Sequence, residues 1–295
     1  MKIVLTGCSG LVGSDLWKRL ENQHELFALG RNKPEFIEQN FWREGDIVDT
    51  ESTIKIIEKL NPDCVIHSAA ISNPDECELN PKLAYQVNGL GTRNLVLACQ
   101  KFDTEMLYIS TDQIFDGKKE SPYTELDSPN PVNVYGKSKL WGEKYVKTLL
   151  RRFYIVRTTL VYGPRRPTFV DRVVQSCKTR EPVTAATNII NTLTYSKDFA
   201  DAMSYLIETH RYGTIHCVNE GACSRYECAH FIAKLLNAEP GFIIKGEKEN
   251  LSLKATRPGY SPLENFVWNL ESYPPLRNWQ KALPDFIETK YTALR

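Results

Sequence analysis

A short apolar run that breaks at evenly spaced glycines and resumes as a helix constrains this fold most. Lys2 to Thr6 is apolar and stops at glycine, the pattern of a buried strand. Gly7, Gly10 and Gly13 follow in a G-x-x-G-x-x-G spacing. Val12, Leu16 and Leu20 then recur every four residues, a helix stripe. Glycines between a strand and a helix allow a tight turn and a close backbone approach. The helix start offers free N–H groups to a pyrophosphate. Gly7, Ser9, Gly10, Leu11, Val12 and Gly13 are therefore candidate cofactor contacts.

Strand and helix signals continue to alternate. Strands are expected at Glu25–Leu29, just before Asp46, at Cys64–Ile66, Met106–Ser110 and Phe153–Arg157. Between them, a helix through Ile54, Ile57 and Leu60 should stop at Asn61-Pro62. A long helix is expected over Leu83–Phe102. Another, capped by Asn133, should bury Val134, Trp141, Tyr145 and Leu149. Such alternation implies right-handed crossovers and a doubly wound parallel sheet of Rossmann type, an α/β fold. The pattern loosens after Tyr162-Gly163-Pro164. Residues 1–163 then form the dinucleotide-binding domain. Residues 164–295 form a smaller, interleaved substrate lobe, with parts of 191–218 returning to the first domain.

The 37 basic and 36 acidic residues leave a net charge of +1, no basis for binding nucleic acid or an anionic membrane. No apolar run approaches the roughly 20 residues that span a bilayer. The start of the chain runs straight into the first strand, so no signal peptide is expected. The eight cysteines form no Cys-x-x-Cys pair and the five histidines are dispersed; no metal site is expected. Reduced cysteines fit a cytoplasmic protein. His67, ending a strand, reads as a packed or hydrogen-bonded residue.

Two features carry chemistry. Tyr135 and Lys139 stand four residues apart and share a helix face. A neighbouring cation would lower the phenol pKa from about 10 towards neutrality and suit it to proton transfer at a carbonyl oxygen. The second strand ends in Leu29-Gly30-Arg31-Asn32-Lys33, where an NAD site usually has an acid for the ribose 2′-OH. Arg31 suits a 2′-phosphate, so NADPH is preferred and NADH stays open.

With the glycine loop, Ser110-Thr111-Asp112 and Tyr135-x-x-x-Lys139, the chain resembles the extended short-chain dehydrogenase/reductases, and within them the dTDP-4-dehydrorhamnose reductases. Asp46-Ile47, Val65 to Ile71, Val87-Asn88, Arg157 to Gly163 and Arg257-Pro258 share in the likeness. The resemblance implies a catalytic trio. Thr111 would bond the substrate oxygen, Tyr135 would supply the proton, and Lys139 would hold the nicotinamide ribose and keep the Tyr135 pKa low. It also implies cofactor contacts at Asp46, Ile47, Ala69, Ala70, Ile71 and Asn88, and substrate contacts at Thr111, Asp112, Gln113 and Leu160. Arg257 is a candidate for a diphosphate.

Three positions depart from that pattern in the expected sugar region. Leu160 replaces a tryptophan, Asn191-Thr192-Leu193-Thr194 replaces Gly-x-Pro-Thr, and Gln113 replaces a tyrosine. The reading is an NADPH-dependent reductase of a nucleotide-linked 4-keto-6-deoxysugar, in polysaccharide biosynthesis of the dTDP-rhamnose type. An NAD-dependent epimerase using the same trio and a non-catalytic binding subunit are the alternatives. A dehydratase is disfavoured because Thr111-Asp112-Gln113 puts an amide where elimination needs a second acid or base. A homodimer stays open.

Overall fold

The computed structural model describes residues 1–292. The first half runs β1 (Lys2–Thr6), α1 (Leu11–Leu20), β2 (Glu25–Gly30), β3 (Trp42–Glu44), α2 (Thr50–Leu60), β4 (Cys64–His67), α3 (Pro74–Leu79), α4 (Pro81–Ala84), α5 (Thr92–Lys101), β5 (Glu105–Thr111), α6 (Val134–Leu149) and β6 (Phe153–Thr158). The second half runs β7 (Val161–Tyr162), α7 (Phe169–Thr179), β8 (Val183–Ala186), β9 (Ile190–Thr192), β10 (Thr194–Tyr195), α8 (Ser196–Leu206), β11 (Gly213–His216), β12 (Ala222–Ser224), α9 (Arg225–Leu235), β13 (Ile243–Gly246), α10 (Phe266–Leu270) and α11 (Trp279–Ile287).

Seven parallel strands form the central sheet in the order β11-β6-β5-β4-β1-β2-β3. β4 and β5 are buried along their whole length, and β1 is buried beyond Lys2, because helices cover both faces of the sheet. Ile3, Leu5, Ile66 and Leu107 pack on one face with α1 and α8. Val4, Val65, Met106 and Tyr108 pack on the other with α2, α5 and α6. The strand order reverses between β1 and β4. A crevice opens there beyond their carboxyl ends, carrying the glycine loop and residues 68–71.

The expected helix over 83–102 is one helical run with a change of pitch. α4 passes through a π-helical turn at Tyr85–Gly91 into α5. The turn places Asn88 in the interior.

α6 differs more from expectation. Its buried face is Gly136, Ser138, Lys139, Gly142, Glu143 and Val146, whereas Val134, Trp141, Tyr145 and Leu149 are only half-buried. The cause is steric. A Cβ on Gly142 would strike the Tyr108 hydroxyl, and one on Gly136 the Gln113 carbonyl oxygen. The glycine face lets α6 lie close on β5, while Trp141 and Tyr145 pack on each other and on Tyr85. Glu143 is tolerated inside because it accepts from Arg157 of β6 at 3.0 and 2.8 Å, both residues being 1% exposed.

Beyond Gly163, α7, α9 and α11 enclose a separate core with Tyr162, Val173, Ile232, Leu283 and Phe286. α8 packs on α1, and β11 adds to the sheet beside β6, so these segments return to the first layer.

Candidate active site

The glycine loop owes its shape to contacts no side chain would allow. Gly7 has φ +75°, and a Cβ there would lie 2.6 Å from the Ala69 nitrogen. A Cβ on Gly13 would strike the Gly7 carbonyl oxygen. Gly10 begins α1 without a side-chain cap, which leaves the first-turn N–H groups facing the crevice.

The facing loop is held by a chain of hydrogen bonds centred on His67. The Thr6 hydroxyl accepts from the Ala69 nitrogen at 3.2 Å and stands 2.8 Å from His67 Nδ1. His67 Nε2 stands 3.0 Å from the Thr92 hydroxyl, which donates to the Asn88 carbonyl at 2.7 Å. That order of donors assigns His67 the neutral Nε2–H tautomer. Burial also favours the neutral ring by pushing its pKa well down. Asn88 accepts from the Ile71 nitrogen at 2.9 Å and donates to the Ile71 carbonyl and the Ser138 hydroxyl, both at 3.0 Å. It thus ties residue 71 to the helix carrying Tyr135.

One cavity joins most residues singled out from the sequence. Gly7, Ser9, Gly10, Leu11, Val12, Arg31, Asp46, Ile47, Ala69, Ala70 and Ile71 line one half. Thr111, Tyr135 and Lys139 stand between the halves, and Asp112, Gln113, Leu160 and Arg257 line the other. Gly13 and Asn88 lie behind the wall and shape it. Arg31 is exposed at the mouth, while Lys33 turns away to donate to the Ile37 carbonyl at 2.6 Å.

Asp112 is the hub of the centre. It accepts from Thr111 Oγ1 at 3.1 Å, Ser261 Oγ at 2.7 Å, Asn191 Nδ2 at 3.2 Å and Gln113 Nε2 at 3.3 Å. Ser261 and Asn191 come from the second half of the chain, so this carboxylate joins the two parts. Burial pushes its pKa up, and the hydroxyl and amide donors pull it back. Gln113 also accepts from Asn133 at 2.9 Å, and Asn133 caps α6 through the Gly136 nitrogen at 2.8 Å. The Thr111 hydroxyl also accepts from the Gln113 nitrogen at 3.2 Å, the local turn bond open to a threonine ending a strand.

The Tyr135 phenol corrects a sequence expectation. Its pKa is not lowered towards neutrality. Burial pushes it far up, with only partial compensation from Thr111. Lys139 is displaced in the other direction: its ammonium is pulled down by burial to about 7 and partly supported by Glu143. Lys139 Nζ sits 4.0 Å from the centre of the Tyr108 ring.

The half of the cavity beyond Thr111 holds features with weak sequence signals. Leu160 has φ +40°, a left-handed conformation costing a leucine roughly 1–2 kcal/mol. Arg257 is already paired with Asp75 at 3.1 Å and donates to the Ala255 carbonyl at 2.8 Å. Phe169, Arg172, Asn191 and Arg225 also line the wall. None of these four stood out in the sequence as a site residue, because each lies alone in a stretch without a motif. Asn191 is marked in the sequence only as part of the 191–194 departure.

The glycine loop at the switch point and the Tyr-x-x-x-Lys helix beside it define an extended short-chain dehydrogenase/reductase, an NAD(P)-dependent oxidoreductase. The chain belongs to the family described as RmlD substrate binding domain, whose model matches residues 1–292. It is similar to the spore coat polysaccharide biosynthesis protein SpsK of Bacillus subtilis, 31% identical with 99% of each chain covered. Among solved structures it is similar to a dTDP-4-dehydrorhamnose reductase of Clostridium acetobutylicum, with a TM-score of 0.86, 32% identity and 98% and 99% of the two chains covered. It is also similar to the Bacillus anthracis dTDP-4-dehydrorhamnose reductase in complex with NADP, with a TM-score of 0.85, 28% identity and the same coverage.

Proposed function

We propose that this protein reduces the ketone of a nucleotide-linked 4-keto-6-deoxysugar with NADPH, in the cytoplasm. The observation that carries the reading is the single cavity, with the glycine loop at one end and Thr111, Tyr135 and Lys139 at its middle. The likeness to reductases so named, one of them with NADP, supports it.

The cavity fits the dinucleotide. Gly7 and Gly13 admit a backbone-close diphosphate, the uncapped start of α1 offers N–H donors, and exposed Arg31 suits a 2′-phosphate. When bound, NADPH supplies the hydride that reduces the carbonyl carbon. The protein has to place that carbonyl and meet the charge left on its oxygen. Thr111 Oγ1 turns its one proton from Asp112 to the substrate oxygen and so orients it, and Tyr135 gives that oxygen a proton. A phenol kept neutral by burial starts in the form a donor needs, and an alkoxide is the stronger base, so the transfer runs downhill. Lys139 restores the proton and holds the ribose. Asp112 accepts from its four donors and fixes Thr111, Asn191 and Ser261 in place.

The test is a panel of nucleotide-4-ketosugars with NADPH, following cofactor absorbance and identifying the product by NMR. Net cofactor oxidation with a reduced sugar supports the reading. Isomerised sugar with no net cofactor change would assign an epimerase instead.

A further inference from the structure

The substrate half of the cavity contains a pair of arginines that the proposed hydride transfer does not use. Phe169 opens α7 and lines the wall. The Arg225 guanidinium stands 5.1 Å from its ring centre and that of Arg172 stands 5.8 Å from it. Two cations on one aromatic ring repel each other, and an anion between them would relieve that repulsion.

The neighbouring carboxylates are already taken. Asp171 is bonded to Lys290, Tyr291 and Thr168. Glu227 closes the capping box of α9 on Ser224. Asp112 acts on Arg225 through its charge, but its oxygens are bonded to Thr111, Ser261, Asn191 and Gln113 and none bonds the guanidinium. Among the described residues, no carboxylate lies within ion-pair distance of Arg172 or Arg225. Arg225 Nη1 is buried and has no acceptor, which is costly for a guanidinium. Burial and the neighbouring Arg172 pull its pKa down to about 10. A planar fork left open on a cavity wall is the geometry that receives phosphate or carboxylate. Arg257 offers less, since its guanidinium already serves Asp75 and the Ala255 carbonyl.

We infer that Arg225, assisted by Arg172 across Phe169, receives an oxyanion carried by the substrate, either a phosphate of its nucleotide or a carboxylate on its sugar. The inference rests on reading this half of the cavity as the nucleotide-sugar site.

Calorimetric binding to the NADPH-loaded enzyme tests it, with dTDP and thymidine as one pair of probes and UDP-glucuronate and UDP-glucose as the other. Arg225→Gln is the main variant. Arg172→Gln, at an exposed position, is the second should the first fold poorly. NADPH affinity within about twofold of the parent certifies an intact fold. If the oxyanion is phosphate, dTDP binding weakens about tenfold or more in Arg225→Gln and less in Arg172→Gln, with thymidine unaffected. If it is a sugar carboxylate, dTDP is unchanged and the parent's preference for UDP-glucuronate over UDP-glucose disappears in the variants. Equal binding of all four probes by parent and variants, or binding of none, overturns the inference. Ketosugar reduction is not read here. Arginine-dependent binding without any reductase activity would therefore sink the reductase reading alone.

Discussion

At the residue scale, the site turns on half-buried Tyr135 and buried Lys139, whose pKa values are displaced in opposite senses. A Tyr–Lys pair suggests a phenolate stabilised by an ammonium. Here burial dominates both, so the phenol is held protonated and the ammonium is weakened. Tyr135→Phe is expected to lower kcat about 10²–10⁴-fold. NADPH affinity should stay within a few-fold, because the hydroxyl acts in the transition state. Near-normal turnover would remove Tyr135 from its role. Lys139, at about 7, is mostly neutral in the free enzyme at pH 8. The phosphates of a bound dinucleotide favour the ammonium. Binding should then take up protons, approaching one per site, and weaken as pH rises above 7. Calorimetry at pH 8 in two buffers of different ionisation enthalpy reads this directly. A buffer-independent heat in the parent, equal to that of Lys139→Met, would contradict it. Removing Arg31 should weaken NADPH about tenfold or more and leave NADH nearly unchanged, since only the former has the extra phosphate. Equal loss for both cofactors in titrations of Arg31→Ala would count against that contact.

At the element scale, the glycine loop and the strands that carry the site were legible because each has a local cause. β1 is a short apolar run stopped by glycine, and α2 ends at left-handed Asn61 before Pro62. α6 was legible as a helix with an Asn133 cap, but its inner face was not. Apolar periodicity points to Trp141 and Tyr145, whereas two glycines and the Glu143–Arg157 pair decide the packing. A pair 14 residues apart leaves no periodic mark. The π-helical turn at 85–91 has no local signal either; it matters through the bonds Asn88 makes to Ile71 and Ser138. Glu143→Ala would strand a buried guanidinium and should destabilise the fold by roughly 3–5 kcal/mol. Gly142→Ala should cost about 1–3 kcal/mol through overpacking against Tyr108. Denaturant titrations check both. An unchanged midpoint in either variant would refute the packing described for α6.

At the scale of the whole molecule, the doubly wound layer was readable from alternation alone. The second lobe was not, because it is assembled from distant pieces. Arg225 opens α9, Phe169 opens α7, and Asn191 meets Ser261 across 70 residues at Asp112. The same assembly bears on which reactions are open. Elimination of water from a nucleotide sugar needs further acid and base groups beside Thr111. Gln113 supplies an amide, and Asp112 is occupied by its four donors. Incubation with dTDP-glucose, with or without added NAD, should therefore yield no 4-keto-6-deoxy product. A time-dependent ketosugar signal in the alkaline absorbance assay, lost in Tyr135→Phe, would favour a dehydratase. The central claim is hydride transfer from cofactor to a sugar ketone, and isotope transfer measures it most directly. NADPH carrying deuterium at its transferable position, supplied with a nucleotide-linked 4-keto-6-deoxysugar, should be oxidised while deuterium appears at the sugar's C4 in the product NMR spectrum. Sugar conversion with the cofactor unchanged and no deuterium in the product would contradict the account.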